Sequence, residues 1–222
     1  MALDFLDLCI DISGNSIRGD NLMTNKIKGM KIIPDFLNFC EEMQFERIID
    51  SHEWFGNGKP LFGLNAQLNR RFQMYGHLFC FADRAVKQMI EIPGDINRIV
   101  LKMKKYDTCK TEKMDSIMIN EYVDGQGIMP HKDAPLFGDV VLILSLLSES
   151  VLEMSNGDEK HLFTIPRRSL LVLEDDARFK YKHAILKDKG CVFKCPDNEW
   201  EVVEREPRRL AVILRDIVQN EL

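Results

Sequence analysis

The chain has 222 residues and a mass of 25.7 kDa, enough for one substantial hydrophobic core or two small domains. Hydrophobic residues make up 45% and charged residues 29%, with a formal net charge of −5, which excludes wholesale disorder. The apolar runs are far shorter than the roughly 20 residues that span a bilayer, and the opening residues are acidic, so the sequence predicts no membrane contact, no secretory signal and an intracellular protein of the cytoplasm or nucleus.

The charge is distributed unevenly along the chain. Residues 59–110 carry ten basic and four acidic groups, so this segment is +6 and the remainder −11. A basic surface on an acidic protein can attract a polyanion such as nucleic acid. The alternative is a solvated basic helix face over residues 98–105.

The N-terminal part of the sequence favours helices. Residues 1–30 show no sustained hydrophobic period and are predicted to form a loosely packed arm. A first helix is predicted to open at Pro34, with Asp35 beside its positive end and apolar residues at helical spacing up to Met43.

An irregular, basic and aromatic-rich segment over 62–79 separates this helix from a second one. Asp95 is predicted to cap the second helix, which covers 96–106. The apolar positions of that helix lie on one side, namely Ile96, Ile99, Val100 and Met103.

From residue 116 onward the pattern changes to short strands separated by Gly, Pro, Asn and Asp. Eight strands are predicted, over 116–122, 139–147, 150–154, 160–165, 168–173, 179–185, 199–204 and 208–217. Strands in succession without helices between them favour a sandwich or jelly roll over a βαβ fold. The predicted fold class is mainly β (α+β). Residues 31–222 are predicted to form one domain, with a helical layer and basic lid over 31–112 and a β-core over 113–222.

A His-x-Asp pair, His131 and Asp133, directly follows the first predicted strand and its turn. Residues two apart on an extended segment point to the same face, so both side chains can reach one ion. His161 and His183 are the candidates for a third donor. Two imidazoles and one carboxylate make the facial triad of non-haem Fe(II) oxygenases.

Two arginines, Arg209 and Arg215, lie six positions apart in the last predicted strand and therefore on one side of it. Their Cα atoms would be about 20 Å apart. Because a guanidinium pairs bidentately with carboxylates, the two could hold opposite ends of a small dicarboxylate. The alternative is an edge strand with solvated charges. Asn120 and Tyr122 add an amide and a phenol to one face just before the His-x-Asp pair.

The order of these motifs resembles the AlkB family of Fe(II)- and 2-oxoglutarate-dependent dioxygenases. The matching stretches are NEYVDGQGIMPHKD (120–133), PRRSLLVLEDDARFKYKHAI (166–185) and RLAVILR (209–215), with looser similarity at 33–42 and 69–79. The resemblance implies a double-stranded β-helix core of the jelly-roll or cupin type. It also implies an oxidoreductase with Fe(II), 2-oxoglutarate and O₂, in which the iron ligands are His131, Asp133 and His183.

The resemblance further implies how 2-oxoglutarate is held. Arg209, with Tyr122, would bind the distal carboxylate, and Arg215 and Asn120 would lie near the end that chelates the metal. The enzyme would hydroxylate a C–H bond of its substrate while 2-oxoglutarate gives succinate and CO₂. On an N-methyl group, this hydroxylation leads to loss of formaldehyde and thus to demethylation.

The segment NRRFQMYG (69–76) resembles the nucleotide-recognition lid of members that act on nucleic acids. This implies that Arg70 and Arg71 pair with phosphates, and that Phe72 and Tyr75 stack on a single-stranded or flipped base. The alternative for Phe72 is an anchor that fixes the lid on the core. No obligate protein partner is evident, and the oligomeric state is open.

The sequence departs from the family pattern at two places, the first of which bears on the substrate. Residues 134–136 are Ala-Pro-Leu where adenine-repairing members carry acids, which argues against methyladenine, and Leu147 stands where Gly is usual. The stretch PRRSLLVL (166–173) and the later His183 look closest to eukaryotic members that hydroxylate a wobble uridine, so RNA, including tRNA, is favoured slightly over DNA. The alternatives are a protein or small-molecule substrate, and a non-catalytic jelly-roll binding module.

Overall fold

The computed structural model describes residues 26–59, 69–80, 85–106, 113–187, 190–194 and 200–218. The helices in these ranges are α1 (Phe39–Asp50), α2 (Gly94–Lys104) and α3 (Asp175–Phe179). The first seven strands are β1 (Met30–Ile33), β2 (Phe55–Gly56), β3 (Arg71–Cys80), β4 (Ala85–Ile90), β5 (Ser116–Val123), β6 (Ile128–His131) and β7 (Phe137–Leu146). The others are β8 (Ser150–Asn156), β9 (Glu159–Ile165), β10 (Leu170–Leu173), β11 (Lys182–Ile185), β12 (Gly190–Lys194), β13 (Trp200–Glu204) and β14 (Arg208–Ile217). None of the helices described is long and apolar enough to cross a bilayer.

The strands form two main antiparallel sheets that face each other. The major sheet has the order β1-β10-β7-β14-β5-β3-β2, with β4 paired to β3, and the minor sheet has the order β6-β11-β8-β9. Strands β12 and β13 form a separate hairpin. Two facing sheets whose neighbours come from distant parts of the chain make a jelly roll, which confirms the predicted fold class.

Strand β14 illustrates how alternation builds the layers. Its residues Leu210, Val212 and Leu214 are buried in the cluster beneath the helices, whereas Arg209 and Arg215 line the cavity on the opposite face. Because β14 pairs with β7 on one side and β5 on the other, it lies in the middle of the sheet. The alternative of a solvated edge strand is therefore wrong.

The helical layer covers the outer face of the major sheet, as the sequence predicts. The buried apolar side of α2 consists of the predicted residues Ile96, Ile99, Val100 and Met103, which join the same cluster as strand residues of β5, β7 and β14. The predicted cap is wrong, because the helix begins at Gly94 after Pro93, and Asp95 lies in its first turn. There the Asp95 carboxylate contacts His52 Nε2 at 3.0 Å.

Helix α1 also begins later than predicted. Asn38 accepts a hydrogen bond from the Glu41 backbone N–H, and Glu41 accepts one from the Asn38 N–H, both at 2.9 Å. This reciprocal capping box starts the helix at Phe39. Asp35 has φ +49°, so residues 34–37 form a turn and the prediction of a helix opening at Pro34 is wrong.

Several strands lie where the sequence analysis predicts none. The segment predicted to be an irregular lid contains β3, which pairs with β5 in the major sheet. The turn predicted before His131 contains β6. The prediction of a β-core without helices is wrong, since the short helix α3 precedes β11.

A buried ion pair fixes α1 to the turns of the β-core. Glu42 is fully buried, and its carboxylate accepts from Arg167 Nε at 2.8 Å and from the Leu147 backbone N–H at 2.7 Å. Leu147 has φ +72°, a conformation that favours glycine. This backbone geometry explains why the residue expected at 147 is Gly.

Residues 1–25 of the predicted arm lie outside the described residues. Within residues 26–30, Ile27 and Met30 are buried between the sheets, and β1 pairs with β10 at the edge of the major sheet. The division of the chain at residues 30 and 112 stays a prediction.

Candidate active site

A cavity of about 820 Å³ lies between the two main sheets, within the usual range for small-molecule sites. The major sheet contributes residues of β5, β7, β10 and β14, and the minor sheet contributes residues of β6, β8 and β11. The predicted residues that line it are Arg70, Asn120, Tyr122, His131, Asp133, His183, Arg209 and Arg215. The topology thus brings together eight of the eleven predicted site residues.

His131 and His183 face each other across the pairing of β6 and β11. They are direct register partners, and their ring centroids are 4.4 Å apart. His131 Nδ1 lies 2.8 Å from the Met129 carbonyl, and since a carbonyl only accepts, Nδ1 carries the proton. The lone pair of His131 is therefore on Nε2, the tautomer that a metal ligand needs.

The other candidate for the third donor, His161, lies in the same row of the minor sheet. Met154 pairs with His183 on one side and with His161 on the other, and it is fully buried between them. His161 Nε2 contacts Glu159 Oε1 at 2.7 Å. Of the two candidates left open by the sequence, the structure places His183 beside His131.

The Asp133 carboxylate lies between His183 and Arg215. Its Oδ2 is 3.7 Å from His183 Nε2, and its Oδ1 accepts from Arg215 Nη1 at 2.8 Å. The Asp133 side chain is 9% exposed, so this contact is largely shielded from water. The two atoms His183 Nε2 and Asp133 Oδ2 are close to the spacing of about 3 Å that neighbouring ligands adopt around a small cation.

The charge states of this cluster suit a cation. Burial lowers the pKa of His183 to about 4, so its imidazole is neutral at pH 7, the form that binds metals. Burial alone would raise the pKa of the Asp133 carboxyl, but the positive charges of Arg215 and Arg178 outweigh it and hold that pKa below its ordinary value. Asp133 is therefore an anion at neutral pH.

Arg209 lies beside Tyr122 on the neighbouring strand. The two are register partners of β14 and β5, and the guanidinium carbon of Arg209 is 5.3 Å from the Tyr122 ring centroid. Its Nε donates to Ser145 Oγ at 3.1 Å, while its buried Nη1 has no hydrogen-bond partner among the described residues. Burial lowers the pKa of Arg209 to about 10, so it remains positively charged at neutral pH.

Arg215 lies on the same face of β14 as Arg209, six residues further along the strand. Its guanidinium carbon lies 3.7 Å from the Phe137 ring centroid, and its Nη1 binds Asp133. Its Nε and Nη2 are buried without a hydrogen-bond partner among the described residues. A buried polar group without a partner costs about 1–3 kcal/mol, and a charged one more, so the unpaired donors of Arg209 and Arg215 fit an anionic ligand.

Asn120 and Arg70 adjoin the Tyr122 end of the cavity. Asn120 Oδ1 accepts from Arg70 Nε at 3.2 Å, and the Arg70 guanidinium carbon is 5.5 Å from the Tyr122 ring centroid. In the register, Asn120 lies opposite Ala211, so its described contact is with Arg70 and not with Arg215. The position of Asn120 near the chelating end of 2-oxoglutarate stays a prediction.

Two predicted substrate-binding residues do not reach the cavity. Arg71 donates to Glu121 through Nε at 2.5 Å and Nη2 at 2.6 Å, on the helical side of the sheet. Tyr75 is buried in the cluster with α1 and α2, and its hydroxyl donates to Gln73 Oε1 at 3.1 Å. The prediction that Tyr75 stacks on a base is wrong for this buried position. Phosphate binding by Arg71, whose side chain is half-exposed, stays a prediction.

Phe72 occupies the cavity-facing side of β3. It pairs with Asn120 and packs in a small cluster with Met74, Leu78 and Met118. Because Phe72 is 3% exposed, this arrangement matches the alternative of an anchor.

The basic side chains of segment 59–110 that the structure describes do not form one surface around the cavity. Helix α2 lies on the outer face of the major sheet, and its Lys102 donates to Glu41 Oε1 at 2.6 Å. Residues 60–68, 81–84 and 107–112 of this segment lie outside the described residues. Of its basic groups with described side chains, Arg70 lines the cavity.

Within the described residues, no group of three or more His, Cys, Asp or Glu side chains is already arranged as a complete metal centre. The donor set nevertheless fits Fe(II), since it offers two imidazoles and one carboxylate. The unpaired guanidinium atoms fit 2-oxoglutarate. Ser145, which holds Arg209, is not among the predicted site residues; its signal is a single polar residue in the otherwise apolar run 140–146 of β7.

The chain is similar to known proteins. The family model described as 2OG-Fe(II) oxygenase superfamily matches residues 81–215, more than half of the chain. A protein of Arabidopsis thaliana named alkylated DNA repair protein ALKBH8 homolog is 28% identical over 218 residues, which cover 86% of this chain and 59% of that protein. The tRNA (carboxymethyluridine(34)-5-O)-methyltransferase ALKBH8 of Macaca fascicularis is 28% identical over 175 residues, which cover 77% of this chain and 26% of that protein.

The chain thus spans less than two thirds of the length of either relative. Among solved structures, that of OsALKBH1 is similar with a TM-score of 0.60 and 16% sequence identity, covering 88% of this chain and 99% of the other. At this identity the similarity concerns the fold, and it matches the jelly roll described above.

Proposed function

The chain belongs to the 2OG-Fe(II) oxygenase superfamily, and from this premise we propose that it oxidises a modified base in nucleic acid. Relatives named as AlkB homologues confirm the AlkB-like resemblance and the class of 2-oxoglutarate-dependent dioxygenase. The family implies Fe(II), 2-oxoglutarate and O₂. The substrate, the chemistry performed on it and the roles of individual residues belong to the proposal.

One observation carries the proposal. Two imidazoles, His131 and His183, lie with ring centroids 4.4 Å apart on one wall of the cavity, and two buried guanidiniums, Arg209 and Arg215, line the other. A metal site alone would not require the arginines, and an anion site alone would not require the imidazoles. The combination suits a metal enzyme with an anionic cosubstrate.

In this proposal His131, Asp133 and His183 hold Fe(II). When bound, Fe(II) with 2-oxoglutarate and O₂ supplies the oxidising chemistry, in which one oxygen atom enters the substrate and the other enters succinate as CO₂ leaves. Arg215 orients the Asp133 carboxylate by the hydrogen bond from Nη1 to Oδ1. The Met129 carbonyl fixes the His131 tautomer by accepting from Nδ1.

The major sheet holds the cosubstrate. Arg209 offers its free Nη1 to the distal carboxylate while Ser145 fixes its Nε, and the Tyr122 ring packs beside the same guanidinium. The apolar side chains of Ile143, Leu171 and Ile213 line the cavity between these polar groups. They exclude water and thereby strengthen the ion pairs made inside it.

The substrate assignment rests on the names of the relatives and on the cavity wall. One relative is named for DNA repair and another for a tRNA uridine, and Arg70 offers a cation that can meet a nucleic-acid phosphate. The loop after Asp133 directs Ala134 and Leu136 against Phe137, so it presents apolar residues where adenine-repairing members carry acids. We therefore favour a base other than methyladenine, in RNA before DNA.

The test is turnover with defined nucleic acids. The protein is incubated with Fe(II), 2-oxoglutarate and ascorbate, together with either bulk tRNA or methylated single-stranded DNA. Succinate is measured, and the nucleosides are analysed by mass spectrometry. The expected result is succinate formation that tRNA stimulates more than DNA, with a matching gain of one oxygen atom or loss of a methyl group.

The controls separate the alternatives. The His131→Ala variant should lose both metal binding and succinate formation, because one of the two imidazoles is gone. Metal-dependent succinate formation without any change in either nucleic acid would indicate a protein or small-molecule substrate. No succinate, together with unchanged metal content in His131→Ala, would indicate a non-catalytic binding module.

A further inference from the structure

Arg178 is a buried cation whose described hydrogen-bond partners are all backbone carbonyls. It belongs to α3, is 3% exposed, and donates through its guanidinium to four carbonyls of the segment 133–138. The contacts are Nη1 to Asp133 O at 3.1 Å, Nη2 to Ala134 O at 2.9 Å and Phe137 O at 2.7 Å, and Nε to Gly138 O at 3.3 Å. Burying a charge is costly, and the four hydrogen bonds offset this cost together with the nearby negative charge of Asp133.

The carbonyls that Arg178 binds belong to the turn that carries Asp133. The Phe137 N–H donates to Ala134 O at 3.0 Å and closes this turn. Arg178 donates to the carbonyls of both of these residues. The Asp133 backbone is therefore held by Arg178, while its carboxylate is held by Arg215.

A second hydrogen bond links the same two segments, but here the donor belongs to the segment next to Asp133 and the acceptor to α3. Lys132 Nζ donates to the Phe179 carbonyl at 2.9 Å, at the end of α3. Strand β11, which carries His183, begins at Lys182 directly after this helix. Helix α3 is thus a short bridge between the segment that presents Asp133 and the strand that presents His183.

We propose that Arg178 is a positioning residue, which sets the place of the Asp133 carboxylate relative to His131 and His183 through the backbone of residues 133–138. The inference rests on the proposed function, because it assumes that these three side chains bind a metal. Lysine has three donors on a tetrahedral nitrogen and does not reproduce the planar fork of arginine. Arg178→Lys therefore keeps the charge but loses most of the four contacts.

The experiment measures Co²⁺ binding to the purified full chain by titration and by the visible absorption spectrum of the bound ion. Arg178→Lys should weaken Co²⁺ binding by about 10-fold or more, the usual effect of losing an outer partner of a metal ligand, and should change the spectrum. Arg167→Lys is the matched control. It alters a guanidinium that binds Glu42 on the helical side, so it should lower stability but leave Co²⁺ affinity and spectrum unchanged.

The outcomes are distinct. A folded Arg178→Lys variant that binds Co²⁺ within about twofold of wild type, with the same spectrum, would overturn the positioning role. If wild type itself does not bind Co²⁺, or if His131→Ala binds it equally well, the proposed function fails instead. Should Arg178→Lys not fold, Lys132→Met tests the same bridge at an exposed residue; weaker Co²⁺ binding supports the proposal, and unchanged binding contradicts it.

Discussion

Arg70 and Arg71 are consecutive in sequence but serve opposite faces of the major sheet. Arg70 lines the cavity and donates to Asn120, whereas Arg71 forms a two-hydrogen-bond ion pair with Glu121 on the helical side. The alternation of β5 sets this division, because Asn120 and Glu121 are themselves consecutive and point to opposite faces. A doublet that looks like one basic site therefore splits into a cavity residue and a structural residue.

We expect Arg70→Ala and Arg71→Ala to have different effects. Arg70→Ala should weaken the binding of a single-stranded oligonucleotide at low salt and reduce the salt-dependence slope by about one, because one phosphate contact is lost. Arg71→Ala should leave oligonucleotide affinity unchanged and lower the unfolding free energy, since Glu121 loses a partner. Fluorescence anisotropy at several salt concentrations measures oligonucleotide affinity. An equal loss of affinity in both variants would contradict the assignment of Arg70 to the cavity and Arg71 to the helical side.

Tyr75 should matter for stability and not for binding. Its hydroxyl donates to Gln73, whose amide donates to the Ile49 carbonyl at the end of α1. Tyr75→Phe removes this hydroxyl and should cost about 1 kcal/mol of unfolding free energy, measured by denaturant titration. Tyr75→Ala also removes the ring, and oligonucleotide affinity per folded protein should still not change; a weaker complex of this variant would restore Tyr75 as a base-stacking residue.

The features best predicted from the sequence are those set by residues two or six apart on one strand. Asn120 with Tyr122 and Arg209 with Arg215 reach the same cavity because alternation decides which face they share. His131 and Asp133 also line it, although β6 ends at His131 and Asp133 lies just beyond the strand. The same rule predicts the apolar face of β14. Local periodicity is sufficient wherever a strand has one polar and one apolar face.

The segment around Tyr75 could not be assigned in this way. Strand β3 is buried on both faces, with Phe72 and Met74 toward the cavity side and Gln73 and Tyr75 toward the helices, so its sequence lacks a polar period. Its identity as a strand depends on pairing with β5, about 45 residues later in the chain. The short helix α3 gave no periodic signal either, since five residues make little more than one turn.

The start of α1, in contrast, had a local signal. Asn38 and Glu41 have the spacing of a capping box, and this motif outweighs the proline four residues before Asn38. The apolar residues Phe36 and Leu37 are buried without belonging to the helix. The helical spacing of these apolar residues is the reason that the helix is predicted to begin before Phe39, its first residue in the structure.

The Glu121 carboxylate should make stability depend on pH. Burial alone would raise its pKa, but the hydrogen bonds from Arg71 and Arg208 outweigh burial and hold the pKa below its ordinary value of about 4.3. A lowered pKa in the folded state gives stability that is present above the unfolded pKa and is lost as the pH falls through the folded pKa. This contribution to the unfolding free energy should therefore be lost progressively as the pH falls below about 5.

Glu121→Gln tests this dependence. At pH 7 the variant should lose about 2 kcal/mol of unfolding free energy, less than for a fully buried pair because both arginines are partly exposed to solvent. The difference from wild type should shrink as the pH falls below about 5, as measured by urea unfolding at each pH. A difference that stays constant with pH would show that the ion pair does not cause the loss.

Arg209 should be the main determinant of cosubstrate affinity. Its Nη1 is buried without a described partner, while its Nε is fixed by Ser145, so the guanidinium already points where an anion can complete its hydrogen bonds. Arg209→Met removes the charge but keeps an unbranched side chain. Losing a buried charge pair with the ligand costs about 2–5 kcal/mol, which corresponds to a 2-oxoglutarate dissociation constant at least 25-fold higher.

Arg208→Met is the matched control, because Arg208 is the preceding residue on β14 and points to the helical side. Its guanidinium binds Asp50 at 2.6 Å and Glu121 at 2.8 Å, so its loss should lower stability and leave the affinity for 2-oxoglutarate unchanged. Arg209→Met should behave in the opposite way: its unfolding free energy should stay the same or rise, since an incompletely paired buried cation is removed. Calorimetric titration with 2-oxoglutarate in the presence of Mn²⁺ measures the affinity of each variant for 2-oxoglutarate. Equal weakening in the two variants would mean that general loosening of the sheet, and not an anion site at Arg209, controls binding.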